Sequence, residues 1–255
     1  MLYHKIIGEG PPLIILHGLL GMSDNWMTLG KKLAVNRQVI LVDQRNHGRS
    51  FHDDEMNYDV MSDDVYGILS QYNLDQVDIL GHSMGGKTAM RFAQRYPRLV
   101  RSVVSVDIAP RVYRSSHDHI FKALLNVNLS KYSLRGEVDK ALSSELGEPG
   151  IRQFLLKNLM RTDQGFRWRA NVKGIFKNYD HLLTYPNGEE PKVDLPILFV
   201  GGTNSDYINK EDRMIIESIF SNPYYEEVES GHWIHAEKPK ELLDILEDFL
   251  HKFSE

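Results

Sequence analysis

The sequence predicts an α/β protein. Its central sheet is mostly parallel, covered by helices on both faces, and interrupted by a helical insertion. Short continuous apolar runs alternate with amphipathic stretches through the N-terminal part, the order that builds parallel sheets. Several of those runs end directly in a turn rich in Gly, His or Asp. From residue 108 to residue 194 the alternation stops, and it resumes afterwards.

Residues 2–7 read as an edge strand, ended by Gly8-Glu9-Gly10-Pro11. Residues 13–16 are uniformly apolar, as in a strand buried on both faces, and end in His17-Gly18-Leu19-Leu20-Gly21. Ser23 or Asp24 is placed to cap a short helix through Trp26, Leu29 and Leu33. Residues 39–42 form the next strand and run into Asp43-Gln44-Arg45-Asn46-His47-Gly48-Arg49-Ser50. Met61, Val65, Ile68, Leu69 and Tyr72 share one helix face. Val77, Ile79 and Leu80 mark the central strand, followed by Gly81-His82-Ser83-Met84-Gly85-Gly86. Ala89, Phe92, Ala93 and Tyr96 recur at i, i+3, i+4 and i+7, a helix stopped by Pro97. Residues 103–106 are another strand, ending at Asp107.

The insertion shows helical faces, Phe121-Leu124-Leu125 and Phe154-Leu155-Leu159, without a convincing strand. Gly147-Glu148-Pro149-Gly150 and Pro186-Asn187-Gly188 break it. Strand character returns at residues 197–200, before Gly201-Gly202, and at residues 224–228, before Gly231-His232. Leu242, Ile245, Leu246, Phe249 and Leu250 close the chain as an amphipathic helix. The expected division is a core of residues 1–107 and 195–255, with residues 108–194 inserted.

Composition narrows the function. With 255 residues and 42% apolar side chains, one domain with an insertion is expected. The formal net charge is −5 and no dense Lys/Arg run occurs, so nucleic acid is not an expected partner. Absence of cysteine excludes disulfides, a thiolate nucleophile and thiolate metal sites. The first residues lack the pattern of a secretory signal, and no apolar window reaches membrane-span length. A soluble cytoplasmic protein is expected, without stable membrane insertion. There is no H-E-x-x-H and no G-x-G-x-x-G, so neither a metal nor an organic cofactor is expected. Oligomeric state is not set by any of these features.

The chemistry concentrates at Gly81-His82-Ser83-Met84-Gly85, a G-x-S-x-G between a strand and a helix. Small neighbours let the backbone turn sharply and project the hydroxyl. A serine hydroxyl is a poor nucleophile near neutral pH and needs a base and an orienting acid. His232, after the last strand, is the expected base, because the order Ser, Asp, His is the one this strand–turn–helix context uses. His235 reads as a partly buried loop residue. Two carboxylates compete for the acid. Asp107 ends an apolar strand, where an unpaired carboxylate is costly, and is preferred. Asp206, in a polar loop after residues 197–200, is the alternative. The amides of Leu19 and Met84 are placed to bind an oxyanion, the latter at a helix N-terminus. His17 reads as structural, and Asp43, Arg45, His47 and Arg49 as a network that fixes their loop.

Taken together, HGLLG at residues 17–21, DQRNHGRS at 43–50, GHSMGG at 81–86 and GHWIHAEKP at 231–239 resemble the α/β-hydrolases. More narrowly, RNHGRS, GHSMGGK, VDIAP and GHWIHAE are similar to the small bacterial esterases of the YbfF type. The resemblance implies the α/β-hydrolase fold, with Ser83, Asp107 and His232 as a triad. The loop after residues 197–200, often GGNS in that subgroup, is here Gly-Gly-Thr-Asn-Ser-Asp, which keeps Asp206 open. The insertion would be a helical cap, with Phe121, Leu124 and Leu125 as pocket walls beside Leu20, His82 and Trp233. The implied activity is a serine carboxylesterase that cleaves small-molecule esters through an acyl-enzyme. Thioesterase, carbon–carbon hydrolase or menaquinone-pathway lyase activity on the same triad are the alternatives, as is a non-catalytic ligand-binding homologue.

Overall fold

In the computed structural model, which describes residues 1–186 and 190–253, seven strands form one sheet. Nine strands occur among these residues: β1 (His4–Ile7), β2 (Pro12–Leu16), β3 (Gln38–Val42), β4 (Val77–His82), β5 (Val100–Val106), β6 (Leu159–Thr162), β7 (Gly165–Trp168), β8 (Val193–Gly202) and β9 (Phe220–Val228). The order across the large sheet is β1-β3-β2-β4-β5-β8-β9. Only β1 runs antiparallel, on the edge beside β3; the remaining pairs are parallel.

The uniformly apolar strands are explained by burial on both sides. Ile14 and Leu16 of β2 join Val65, Ile68, Ala89 and Phe92 on one face. Leu13 and Ile15 of the same strand join Trp26, Leu29, Leu242 and Leu246 on the other. Alternate residues of a strand point to opposite faces, so each face receives its own apolar set. The first face is covered by α2 (Tyr58–Tyr72) and α3 (Met84–Arg95), the second by α1 (Met27–Leu33) and, near the C-terminus, a helix at Pro239–Lys252. Asn57 caps α2, its side chain accepting the Asp59 and Val60 amides, and Asn73 ends it in the left-handed region at φ 51°. Neither Ser23 nor Asp24 caps α1. A one-turn 3₁₀ helix at Ser23–Trp26 precedes it, and Asp24 instead pairs with Lys5 and Arg49.

Between β5 and β8 lie α4 (Asp118–Asn126), α5 (Arg135–Leu142), α6 (Pro149–Leu155), α7 (Val172–Lys177) and α8 (Tyr179–Leu183). They carry a separate apolar cluster, including Phe121, Leu142, Leu155 and Ile175, which packs on Tyr58, Met61 and Met84. This stretch is not purely helical. β6 and β7 form an antiparallel hairpin, and Leu159, expected on a helix face, opens β6. Its four-residue strands are only partly buried, so no apolar alternation announces them, and the turn relies on Gly165 at φ 100°. Of the expected break at Pro186-Asn187-Gly188, the last two residues lie outside those described. β8 and β9 each start four residues before the stretch that marks them in the sequence, and α9 (Asp212–Ile219) joins them. α10 (Ile234–Glu237) and α11 (Pro239–Lys252) complete the chain.

Candidate active site

Ser83 sits where β4 gives way to α3, in a backbone that L residues rarely adopt, φ 53° and ψ −121°. Its amide donates to Val106 O at 3.0 Å, and its carbonyl accepts the Gly86 amide at 2.8 Å. The flanking glycines are demanded by close approach. A Cβ on Gly81 would lie 2.1 Å from Gly85 O, and one on Gly85 would lie 2.4 Å from Leu16 O.

One strand over, Asp107 leaves β5 at φ 52°, and its amide donates to Val200 O at 2.8 Å. Its buried carboxylate meets three donors. Oδ1 accepts the Gly202 amide at 3.0 Å; Oδ2 accepts Ser205 Oγ at 2.5 Å and lies 2.7 Å from His232 Nδ1. A carboxylate that only accepts makes Nδ1 the protonated nitrogen, which leaves Nε2 with the lone pair. The imidazole is also stacked on Tyr207, ring centroids 3.9 Å apart. Asp206, the other candidate, does not reach this histidine. Its backbone carbonyl accepts from Arg111, and the residue borders a cavity. The loop after β8 turns Ser205 inward instead. Ser205 and Tyr207, on either side of Asp206, carry no motif of their own in the sequence; only the fold brings them to Asp107 and His232.

The turn after β2 is held by two neutral imidazoles. His17 donates from Nδ1 to Gly18 O at 2.8 Å and accepts the Gln44 amide on Nε2 at 3.0 Å. His47 donates to Arg45 O at 2.9 Å and accepts the Leu20 amide at 3.0 Å. Burial lowers both, His47 to about 3, so each keeps one tautomer at neutral pH. The Leu20 amide is thus occupied, whereas those of Leu19 and Met84 meet no acceptor among the described residues. Asp43 accepts the amides of Ser23 at 2.6 Å and Arg49 at 2.8 Å, and Arg45 grips Asp64 at 2.6 Å. This is the loop-fixing network expected from the sequence.

Ser83, Leu19 and His117 are shared by two cavities. The narrow one, about 100 Å³, is lined by Leu20, His82, Ile120, Phe154, His232 and Trp233 among others. The wide one, about 550 Å³, is bordered by Tyr58, Met84, Lys87, Tyr113, Tyr179 and Leu182 among others. Leu20, His82 and Trp233 thus line a cavity beside Ser83. The expected walls on α4 do not. Ile120 faces the narrow cavity, while Phe121 turns inward against Phe176 and Tyr179, Leu124 is buried in the same cluster, and Leu125 is exposed. One residue along a helix rotates the side chain by roughly 100°, enough to exchange cavity for interior.

His82 donates from Nε2 to His232 O at 2.9 Å, tying the two loops together, and burial holds its imidazole well below the ordinary value. His235, stacked on Trp26 at 4.7 Å, is lowered by burial to about 4. Among the described residues, no cluster of three or more His, Asp or Glu could hold a metal, and no helix is long and apolar enough to cross a membrane.

The sequence model of the alpha/beta hydrolase fold matches residues 11–239. The chain belongs to the α/β-hydrolase family. Within it, the chain is 41% identical over 250 residues to an sn-1-specific diacylglycerol lipase of Xenopus laevis, covering 94% of this chain and 80% of that one. It is 34% identical over 242 residues to esterase YbfF of Escherichia coli, with 94% and 93% covered. A solved marine microorganism esterase superposes with a TM-score of 0.95 at 39% identity, covering 97% of this chain and 98% of the other. The seven-stranded, mostly parallel sheet is that of an α/β-hydrolase.

Proposed function

We propose that this α/β-hydrolase is a serine esterase of small carboxylic esters, in which Ser83 is the nucleophile, His232 the base and Asp107 the orienting acid. The observation that carries the reading is the 2.7 Å contact between His232 Nδ1 and Asp107 Oδ2, beside a cavity that Ser83 and His232 both line. Ser83 Oγ attacks the ester carbonyl as its proton passes to His232 Nε2. Asp107 holds the imidazole in that tautomer and stabilises the imidazolium. The unoccupied amides of Leu19 and Met84 receive the oxyanion. His232 then protonates the departing alcohol, and a water activated by the same nitrogen releases the acid.

No step requires a metal or an organic cofactor. The relatives named esterase and lipase support the ester class. The stretch of residues 108–194 serves as a cap whose helices enclose the reacting group. A small substituent of the substrate enters the narrow cavity, and the bulkier one occupies the wide one. Turnover of p-nitrophenyl butyrate by wild type and Ser83→Ala, with fluorophosphonate labelling of each, tests the reading. Loss of both turnover and label in Ser83→Ala is expected; an undiminished rate would overturn it.

A further inference from the structure

Lys87 lies one turn beyond Ser83 on α3, and its amide donates to the Ser83 carbonyl at 3.2 Å. Its side chain is 1% exposed, in the middle of a face where an apolar residue would cost less to bury. The ammonium donates to three carbonyls at the C-terminal end of α8, those of Leu182 at 3.4 Å, Leu183 at 3.0 Å and Thr184 at 2.8 Å. Tyr58 reinforces this contact by donating to the Leu182 carbonyl at 2.7 Å. The rings of Tyr58 and Tyr113 lie 5.6 and 4.7 Å from the ammonium. A cation at a helix C-terminus is well placed, because the last carbonyls lack intrahelical donors. The same helix end, through Tyr179, Leu182 and Leu183, borders the wide cavity next to Ser83.

We propose that Lys87 is a positioning residue that seats the α8 side of the wide cavity against the helix of Ser83, and so sets how bulky a group that cavity admits. All three carbonyls belong to the stretch between β5 and β8, while the amine belongs to the sheet-bound helix, so one side chain joins the two halves of the site. Losing it leaves the Thr184 carbonyl without this donor and strips Leu182 and Leu183 of their cationic partner, so that the Tyr58 hydroxyl and the Tyr113 amide are left to hold those two.

This inference deepens the esterase reading and rests on it for its substrate arm only. Amide exchange of the full chain, corrected for intrinsic rates, tests the contact directly. Peptides spanning residues 179–184 should lose protection by about tenfold in Lys87→Met relative to wild type, as expected for a lost hydrogen bond to a charged group, while peptides from β4 and β5 keep theirs. Lys87→Gln, which keeps amide donors, should retain part of that protection. On esters of rising acyl length, Lys87→Met should raise KM for the longest by about tenfold with kcat changed less than about twofold. Unchanged protection of residues 179–184 in folded Lys87→Met or Lys87→Gln overturns the proposal whatever the enzyme hydrolyses. So does a folded Lys87→Met with unchanged KM. A loss of protection in Lys87→Met beside a wild type that cleaves no ester overturns the esterase reading alone.

Discussion

Asp107 and His232 stand 125 residues apart in the chain and 2.7 Å apart in the fold. The contact joins the end of β5 to the loop after β9. β8 lies between those strands, and its own loop contributes the Gly202 amide and the Ser205 hydroxyl to the same carboxylate.

Asp107→Asn should therefore lower kcat by roughly 10⁴, since the amide reverses the hydrogen bond that selects the His232 tautomer. Asp206→Asn should stay within about threefold of wild type, because the His232 Nδ1 partner is Asp107 and not Asp206. Steady-state kinetics of both variants decide the point; a sensitive Asp206 with a tolerant Asp107 would reverse the assignment.

Ser205→Ala removes one of three donors to a fully buried carboxylate. A hydrogen bond to a charged group is worth about 1.5–3 kcal/mol. A fall of about tenfold in kcat with KM nearly constant is expected, together with a lower midpoint of urea unfolding. Unchanged kcat in a folded variant would show that the other two donors suffice.

His47 is neutral in the fold and titrates at about 3, against 6.5 when exposed. A lowered histidine contributes stability that is full above its unfolded value and is lost as pH falls from there toward the folded value. His17, His82, His117 and His235 shift in the same direction. Unfolding midpoints should thus drop steadily between about pH 6.5 and pH 4. The drop should be shallower in His47→Gln, which retains an acceptor for the Leu20 amide.

Gly81→Ala forces a methyl group to 2.1 Å from the Gly85 carbonyl, which belongs to the backbone and cannot swing aside. Destabilisation of about 3 kcal/mol or failure to fold is expected. Gly67→Ala, on exposed helix with nothing within 4 Å, should instead stabilise by about 0.5–1 kcal/mol. Chemical denaturation of the two variants should move in opposite directions.

Much of the site was legible in the chain before folding. Three apolar runs announced strands buried on both faces and residues 224–228 showed strand character, and the residues after these four stretches, His17, Ser83, Asp107 and His232, all lie at one end of the sheet. That follows from local rules: parallel strands share a direction, so whatever follows each strand gathers at the same edge. The strained turn was legible too, because Gly81 and Gly85 leave little else that Ser83 could do. The helix faces of residues 108–194 were legible only as faces. Period alone does not tell which neighbours an apolar residue meets, and so Ile120, not Phe121, faces the narrow cavity.

The choice between Asp107 and Asp206 belonged to the tertiary structure. Both follow a strand, and both are carboxylates within reach of the same edge. Strand order places β8 between β5 and β9, and a left-handed Asp107 directs its carboxylate across that strand to His232. The amides of Gly202 and the hydroxyl of Ser205 then supply what a buried charge needs, while Asp206 stays at the rim of the wide cavity. Sequence determines which groups stand at the strand ends. Only the packing of those strands decides which of them are desolvated together, and that desolvation makes one carboxylate the partner of the imidazole.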